Sequence, residues 1–328
     1  MTVPSVLCVI LNWRTPEMTL RAAEHALAAM EGIAGAITLV DNDSRDGSFE
    51  AMTQAVAARG WDRVRVIQSG RNGGFGAGNN AGIRAGLPGG AQPDYVYVLN
   101  SDAFPAPDAI ARLLAALQAD PGAGFAGSFI HGQDGAPHLT TFRFPSLASE
   151  VEGAARSGPI SRLLAHRAVP LPTPAATQAV DWLAGASLMM RRDVLDAIGL
   201  FDETFFLYFE ETDLCLRAAR AGWRTLFVPD SRVAHIGSVS TGMKTWDRVP
   251  GYWFASRRHY FTKNHGRAYA LAATLAHVAG GTLHRLRCAL AHRAPADPPH
   301  FLRDLIRHDA GALLRPAAPV PSPVTGAS

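Results

Sequence analysis

The chain has 328 residues, of which 48% are hydrophobic and 18% charged. That composition fits one large α/β domain or two smaller ones around a sizeable core, and excludes a disordered or fibrous chain. The cysteines (Cys8, Cys215, Cys288) are scattered without metal spacing and exclude a disulfide scaffold. The first apolar run (6–11) is too short for a signal or membrane span, so a reducing, cytoplasmic location is expected.

The net charge of +3 is unevenly placed. From Gly251 onward ten Lys/Arg face three Asp/Glu, while the first 250 residues carry 21 against 25. A basic tail on a mildly acidic body points to an anionic surface as partner. Lipid fits better than nucleic acid, because base-stacking aromatics are interleaved with the basic residues only over 252–261.

The first half alternates strand and helix. Ser5–Asn12 reads as a buried parallel strand, and Thr15-Pro16-Glu17 as a helix start with Pro at the first helical position. Strands follow at 36–41, 64–68, 95–99 and 124–130, with helices at 49–58, after the Gly-rich stretch 70–78, and from Pro107 to about residue 120. This order predicts a doubly wound, mostly parallel sheet flanked by helices. Residues 131–181 read as irregular. A strand over 182–190, a short helix over 193–198, a helix to Gly222 and a strand over 224–228 come next. Helix dominates from Pro250.

Three polar turns fall at strand ends, where an open parallel sheet binds ligands. They are Asn12-Trp13-Arg14, Asp41 to Gly47, and Asn100-Ser101-Asp102. Each alone could be a local turn. Asn100 and Asp102, two apart, offer one amide oxygen and one carboxylate on one side, which suits Mg²⁺ or Mn²⁺ completed by phosphate oxygens and water. A capped turn before the Pro107 helix is the plain alternative. The Gly-rich stretch, with Asn72 and Gly74, suits close backbone approach to a phosphate, but it follows the third strand, which disfavours a dinucleotide-binding dehydrogenase. His235 could add a ligand to a cation at Asp102.

The most informative segment is 205–217, FFLYFEETDLCLR. Glu210, Glu211 and Asp213 sit directly behind an apolar wall at a helix start. Desolvation there raises a carboxylate pKa, as a general base near neutrality needs. A simple acidic helix cap is the alternative.

Taken together, these pieces resemble the inverting family 2 glycosyltransferases of the GT-A fold, especially bacterial rhamnosyltransferase-like members. The matching stretches are VILNWR (9–14), LVDNDSRDGS (39–48), RNGGFGAGNNAGI (71–83), YVLNSDAF (97–104), the long block 182–223, VPDSRVAHIGSVS (228–240) and RRHYFTKNHG (257–266). The resemblance implies that Asn12 lies at the nucleotide-sugar site and that Asp41 binds the base or ribose. Asn72 and Gly74 would shape the nucleotide pocket. Asp102 would hold the metal on the diphosphate, with Asn100 nearby and His235 reaching the diphosphate or metal. Trp182 would flank the sugar or acceptor. Glu211, beside Glu210, would be the base. Two positions depart from the family pattern. Asn-Ser-Asp stands where Asp often comes first or Pro in the middle, and Glu210-Glu211 where Glu-Asp is usual, giving an arm longer by about 1.5 Å.

The expected architecture is a GT-A domain over 1–265 and a helical, basic extension over 266–328, membrane-associated or packed on the body, with a disordered end. The expected activity moves a sugar, rhamnose first, from a nucleotide-diphosphate sugar to a glycan or polyprenyl-diphosphate-linked acceptor in cell-envelope polysaccharide synthesis. The expected place is the cytoplasmic face of the inner membrane. No nucleic acid is expected as a partner, and a homodimer is left open. A nucleotidyltransferase and a degenerate, non-catalytic scaffold of the same fold are the alternatives.

Overall fold

The computed structural model describes residues 3–237 and 247–313. Ser238 to Ser240 of the last strand motif, Arg315 and the expected disordered end from Pro316 lie outside the described residues. The first half runs β1 (Ser5–Asn12), α1 (Pro16–Ala29), β2 (Ala34–Asp41), α2 (Ser48–Ala58), β3 (Val64–Gln68) and α3 (Gly74–Arg84). It continues with β4 (Tyr95–Asn100), β5 (Ala103–Pro105), α4 (Ala109–Ala119) and β6 (Ala123–His131). Then come β7 (Thr141–Phe142), α5 (Leu147–Ala155), α6 (Gly158–Leu163), β8 (Gln178–Val180), β9 (Trp182–Leu183), β10 (Ser187–Arg191) and α7 (Arg192–Ile198). The rest is α8 (Glu210–Arg220), β11 (Arg224–His235), α9 (Gly251–His265), α10 (Arg267–Leu290) and α11 (Phe301–Leu313).

Among the described residues the main sheet has the order β3-β2-β1-β4-β10-β6-β11-β5, with β8 added on β11. Strands β3, β2, β1 and β4 run parallel, as do β6 and β11. Strand β10 is antiparallel to both β4 and β6. The alternation of strand and helix did not foretell that reversed strand. Both faces of β1 are buried. Val6, Cys8 and Ile10 join one core with α1 and α4, while Leu7 and Val9 join another with Ile83 of α3 and Leu214 of α8. This is why the strand is apolar at every position rather than at alternate ones.

Four expectations are corrected. The expected strand over 182–190 is two strands broken at 184–186. The strand expected to end at 228 continues to His235 across an irregularity between Val228 and Arg232, which spans Pro229. The irregular stretch 131–181 contains α5, whose start is held by a reciprocal cap between Ser146 and Ser149. A serine in place of the usual acidic partner hides that signal in sequence. The Gly-rich stretch is largely helix, because α3 begins at Gly74.

The glycines of α3 serve packing. A Cβ at Gly78 would lie 2.4 Å from Leu11 Cδ1, and one at Gly82 would lie 2.5 Å from Val9 Cγ1. Gly74 has φ +86°, and a Cβ there would fall 1.7 Å from the carbonyl oxygen of Phe206. The next residue, Phe75, donates its N–H to that same carbonyl at 2.9 Å. The start of α3 is thereby fastened to the segment that leads into α8.

The helices of the C-terminal part are folded onto the body. A Cβ at Gly280 of α10 would lie 2.8 Å from the Val151 carbonyl oxygen of α5, and one at Gly281 would lie 2.8 Å from Leu302 of α11. Gly280-Gly281, read in sequence as an interruption, is a point of close helix approach.

Gly74→Ala should cost at least about 3 kcal/mol in urea unfolding, because backbone must move. Gly47→Ala has a similar φ of +87° but open space around it, and should cost about 1 kcal/mol. Equal costs would show that the contact with Phe206 is not a tight one.

Candidate active site

The polar strand ends converge along the carboxyl edge of β1, β2 and β4. Asn12 is fully buried and donates through Nδ2 to Asp41 Oδ1 at 2.8 Å, while its Oδ1 accepts from Thr19 Oγ1 at 2.8 Å. It ties β1, β2 and α1 together and holds Asp41 from below. Asp41 is 2% exposed and accepts from Ser44 Oγ at 2.6 Å and Ser44 N at 3.1 Å. Asn42 donates to Asn72 Oδ1 at 3.0 Å, and Asn72 in turn accepts from the N–H of Gly74 at 3.1 Å. Asn72 therefore closes the turn into α3, and Gly74 lies against Phe206.

A second group forms where β4 ends. The strand stops at Asn100, and Ser101-Asp102 is a turn rather than extended chain. The two side chains still converge on His235 at the end of β11. His235 Nε2 lies 3.0 Å from Asp102 Oδ1 and 3.4 Å from Asn100 Nδ2. The Gly237 N–H donates to Asp102 Oδ2 at 3.0 Å. Burial opposes charge on Asp102, but the hydrogen bond and charge of His235 and the Gly237 N–H outweigh it, leaving the carboxyl below its usual range. Among the described residues Asn100 Oδ1 is buried without a hydrogen-bond partner.

Among the described residues no three His, Cys, Asp or Glu cluster as a complete metal site. The group Asn100, Asp102 and His235 fits a cation that takes only part of its shell from protein. The unpartnered Asn100 oxygen and the ionised Asp102 are hard donors of the kind Mg²⁺ and Mn²⁺ prefer.

The third group surrounds the start of α8. Tyr208 and Phe209 both have φ of 70°, a left-handed conformation that costs a bulky residue on the order of 1–2 kcal/mol. Ring packing offsets it, since Phe209 lies 5.9 Å from Trp253 and 5.6 Å from Tyr260 between centroids. This double turn separates the fates of the adjacent glutamates. Glu210 points under α3 and is 2% exposed. Glu211 lines a cavity of about 300 Å³, with Trp182, Tyr208, Trp253, Glu150 and Arg257 also in its wall. Trp182 is fixed by stacking on Phe142 at 4.2 Å and by donating its indole N–H to the Arg143 carbonyl at 2.9 Å.

Burial raises both Glu210 and Glu211 above the usual carboxylate range, and the neighbouring charge of Glu211 raises Glu210 further. Among the described residues the Oε2 atoms of both lack hydrogen-bond partners. The third acid of this turn, Asp213, is fully buried but well satisfied. Arg217 reaches it at 2.9 Å, Lys263 at 2.8 Å and Asn264 at 2.9 Å.

The groups adjoin through main chain. A Cβ at Gly185 would lie 3.9 Å from Glu211 Oε1, and the next carbonyl, Ala186, accepts the N–H of Asn100 at 3.0 Å. Sequence reading missed Glu150 and His277. Arg257 is 1% exposed, and its Nη2 donates to Glu150 Oε2 at 2.8 Å. His277 Nδ1 lies 2.7 Å from the same oxygen. Only the fold brings α5, α9 and α10 together, so no local pattern announced this cluster.

Comparison with known proteins agrees with the geometry. The description "Glycosyltransferase like family 2" matches residues 4–263. The N-acetylglucosaminyl-diphospho-decaprenol L-rhamnosyltransferase of Mycobacterium tuberculosis is 33% identical over 223 residues, which is 63% of this chain and 68% of that protein. The mannosyltransferase PcManGT from Pyrobaculum calidifontis, solved with GDP-Man and Mn²⁺, superposes with a TM-score of 0.58. It is 16% identical, with 96% of this chain and 82% of that one covered. GalNAc-T7, solved with UDP, GalNAc and Mn²⁺, superposes with a TM-score of 0.59 at 14% identity, over 94% of this chain and 55% of that one. With a family match over most of its length and a glycosyltransferase sheet beneath its three polar groups, the chain belongs to glycosyltransferase-like family 2, an enzyme family of the GT-A fold.

Proposed function

We propose that this glycosyltransferase inverts the anomeric centre as it moves a hexose, rhamnose first among the candidates, from a nucleoside-diphosphate donor to a hydroxyl of a lipid-linked glycan acceptor. The observation that carries this reading is the placement of Glu211. It opens on a cavity walled by Trp182, Tyr208 and Trp253, and adjoins the strand end bearing Asn100 and Asp102. Aromatic walls suit the apolar faces of a pyranose ring, so the cavity is assigned to the acceptor sugar and the Asp41 to Asp102 edge to the donor.

In this mechanism Glu211 accepts the proton of the acceptor hydroxyl. That oxygen then bonds to the anomeric carbon as the bond to the diphosphate oxygen breaks, with the electron pair leaving on the diphosphate. Asp41 anchors the nucleoside, positioned by Asn12 and Ser44, while Asn72 and Gly74 hold the floor beneath it. A divalent cation, Mg²⁺ or Mn²⁺, held by Asp102 with Asn100 and His235, would neutralise charge on the departing diphosphate. Glu210 is a buried neighbour whose own pKa is raised by burial and by the charge of Glu211. The long arm of Glu211 suits a carboxylate that reaches out of a buried turn.

The decaprenol named for the Mycobacterium tuberculosis relative supports a lipid-linked acceptor here. So does the basic tail, which favours work at the cytoplasmic face of a membrane. No described helix is long and apolar enough to cross one. Residues 266–328 are assigned to an extension that serves the acceptor side, since His277 of α10 lines the cavity. The nucleotidyltransferase and scaffold alternatives draw no support from the family match.

A panel of nucleotide sugars with Mg²⁺ or Mn²⁺, read by nucleoside-diphosphate release, should single out one donor. With that donor, Glu211→Gln should lower kcat by about 10³ and leave donor binding intact. Turnover kept in Glu211→Gln and lost in Glu210→Gln would make Glu210 the base and overturn this assignment. Because burial raises the Glu211 pKa, kcat should fall on acidification at a higher pH than an ordinary carboxylate dictates.

The same burial affects stability. In the window above the unfolded glutamate value of about 4.3, Glu210 and Glu211 hold more protons in the folded chain than in the unfolded one, so their contribution to stability falls as pH rises through it. Glu210→Gln should therefore stabilise the protein at pH 7 by about 1 kcal/mol and give no gain near pH 4. A loss of stability at pH 7 would mean that the Glu210 charge is satisfied.

A further inference from the structure

Helix α10 has two unlike sides. One packs inward through Ala270, Ala273, Gly280, Gly281 and His284. The other carries an apolar stripe at Leu271, Leu275, Val278, Thr282, Leu286 and Ala289. Their spacings of four and three place them on one helix face. Leu275 is 60% exposed and Leu286 59%. Beside the stripe, α10 and α11 enclose a groove of about 690 Å³, whose wall includes Val278, Leu286, Leu302 and Ile306.

Charge says what covers this surface. The groove is lined by Arg285, Arg303 and Arg307 and by no carboxylate. Among the described residues Arg285 and Arg307 make no ion pair, and Arg285 Nε is buried without a hydrogen-bond partner. Asp304 is held in a two-point pair with Arg248 at 2.6 and 2.7 Å and lies 3.6 Å from Arg303 Nε. Leucines flanked by Arg285 and Arg307, which have no ion-pair partner among the described residues, match the boundary of a bilayer, where acyl chains meet phosphate headgroups. A second copy of the chain fits poorly, because two such faces would bring like charges together.

We infer that the exposed stripe of α10 and the α10–α11 groove form a docking surface for anionic phospholipid, which seats the enzyme on a membrane. On the sugar-transfer reading above, this also sets the acceptor's path. His277 faces the cavity from the other side of the same helix, and a helix with its side chains is about 10 Å across. The sugar of a lipid-linked acceptor would lie in the cavity while its lipid stayed in the bilayer.

Cosedimentation of the full-length protein with vesicles tests this without any turnover. Binding is expected to vesicles of phosphatidylcholine containing about 30 mol % phosphatidylglycerol, and not to phosphatidylcholine alone. Arg285→Glu/Arg307→Glu and Leu275→Ser/Leu286→Ser should each weaken that binding at least about tenfold. Both pairs should keep the wild-type melting temperature and turnover on a water-soluble acceptor. Wild-type protein that ignores anionic vesicles, or variants that bind them as well as wild type, would overturn the proposal. So would light scattering that shows a dimer dissolved by Leu275→Ser/Leu286→Ser with vesicle binding unchanged, since the face would then be a contact between copies. If no sugar donor is turned over, the sugar-transfer reading fails while the vesicle result still decides the docking surface.

Discussion

The site depends on one main-chain contact. The N–H of Phe75 meets the carbonyl of Phe206, over a glycine whose missing Cβ leaves room for the approach. It couples the loop after β3, which shapes the floor beside Asp41, to the turn that launches α8. Together with ring packing it fixes the segment in which Tyr208 and Phe209 hold their left-handed conformation, and so the direction of the two glutamates behind them. The aromatic packing of Phe209 against α9 completes the clamp.

Electrostatics then divides labour among four acids. Asp213 is neutralised by Arg217 and Lys263 and serves the scaffold. Asp102 is kept ionised by His235 and backbone N–H groups. Glu210 and Glu211 are left desolvated and incompletely bonded, and only Glu211 meets the cavity. On the proposed mechanism, such an arrangement stores instability at the place where the acceptor's proton is taken up, as functional sites commonly do. The buried Arg257–Glu150 pair on the far wall gives the cavity polar groups without excess charge.

Much of this was legible from residues. The parallel half of the sheet followed from apolar runs alternating with helices, and the polar strand ends at Asn12, Asp41 and Asn100 marked its working edge. The acidic turn was readable because three carboxylates behind an aromatic wall are costly unless used. Other features were not legible. Strand β10 runs antiparallel because of long-range topology, which leaves no local mark on a buried apolar strand. The glycines of 70–82 looked like a ligand loop, yet Gly78 and Gly82 are spent on helix–sheet packing, and glycine spacing alone does not separate the two uses. The Glu150, Arg257 and His277 cluster joins three helices distant in sequence, so nothing short of the fold could assemble it.

The central claim is that Glu211 and the Asn100, Asp102 and His235 group face a single reaction centre from opposite sides. A crystal structure of the protein with Mn²⁺, the nucleoside diphosphate of its donor and an acceptor sugar tests this most directly. The account predicts an anomalous peak within about 2.2 Å of an Asp102 oxygen, bridged to the diphosphate, with the acceptor hydroxyl at hydrogen-bond distance from Glu211. A diphosphate bound away from Asp102, or an acceptor held out of reach of Glu211, would contradict it.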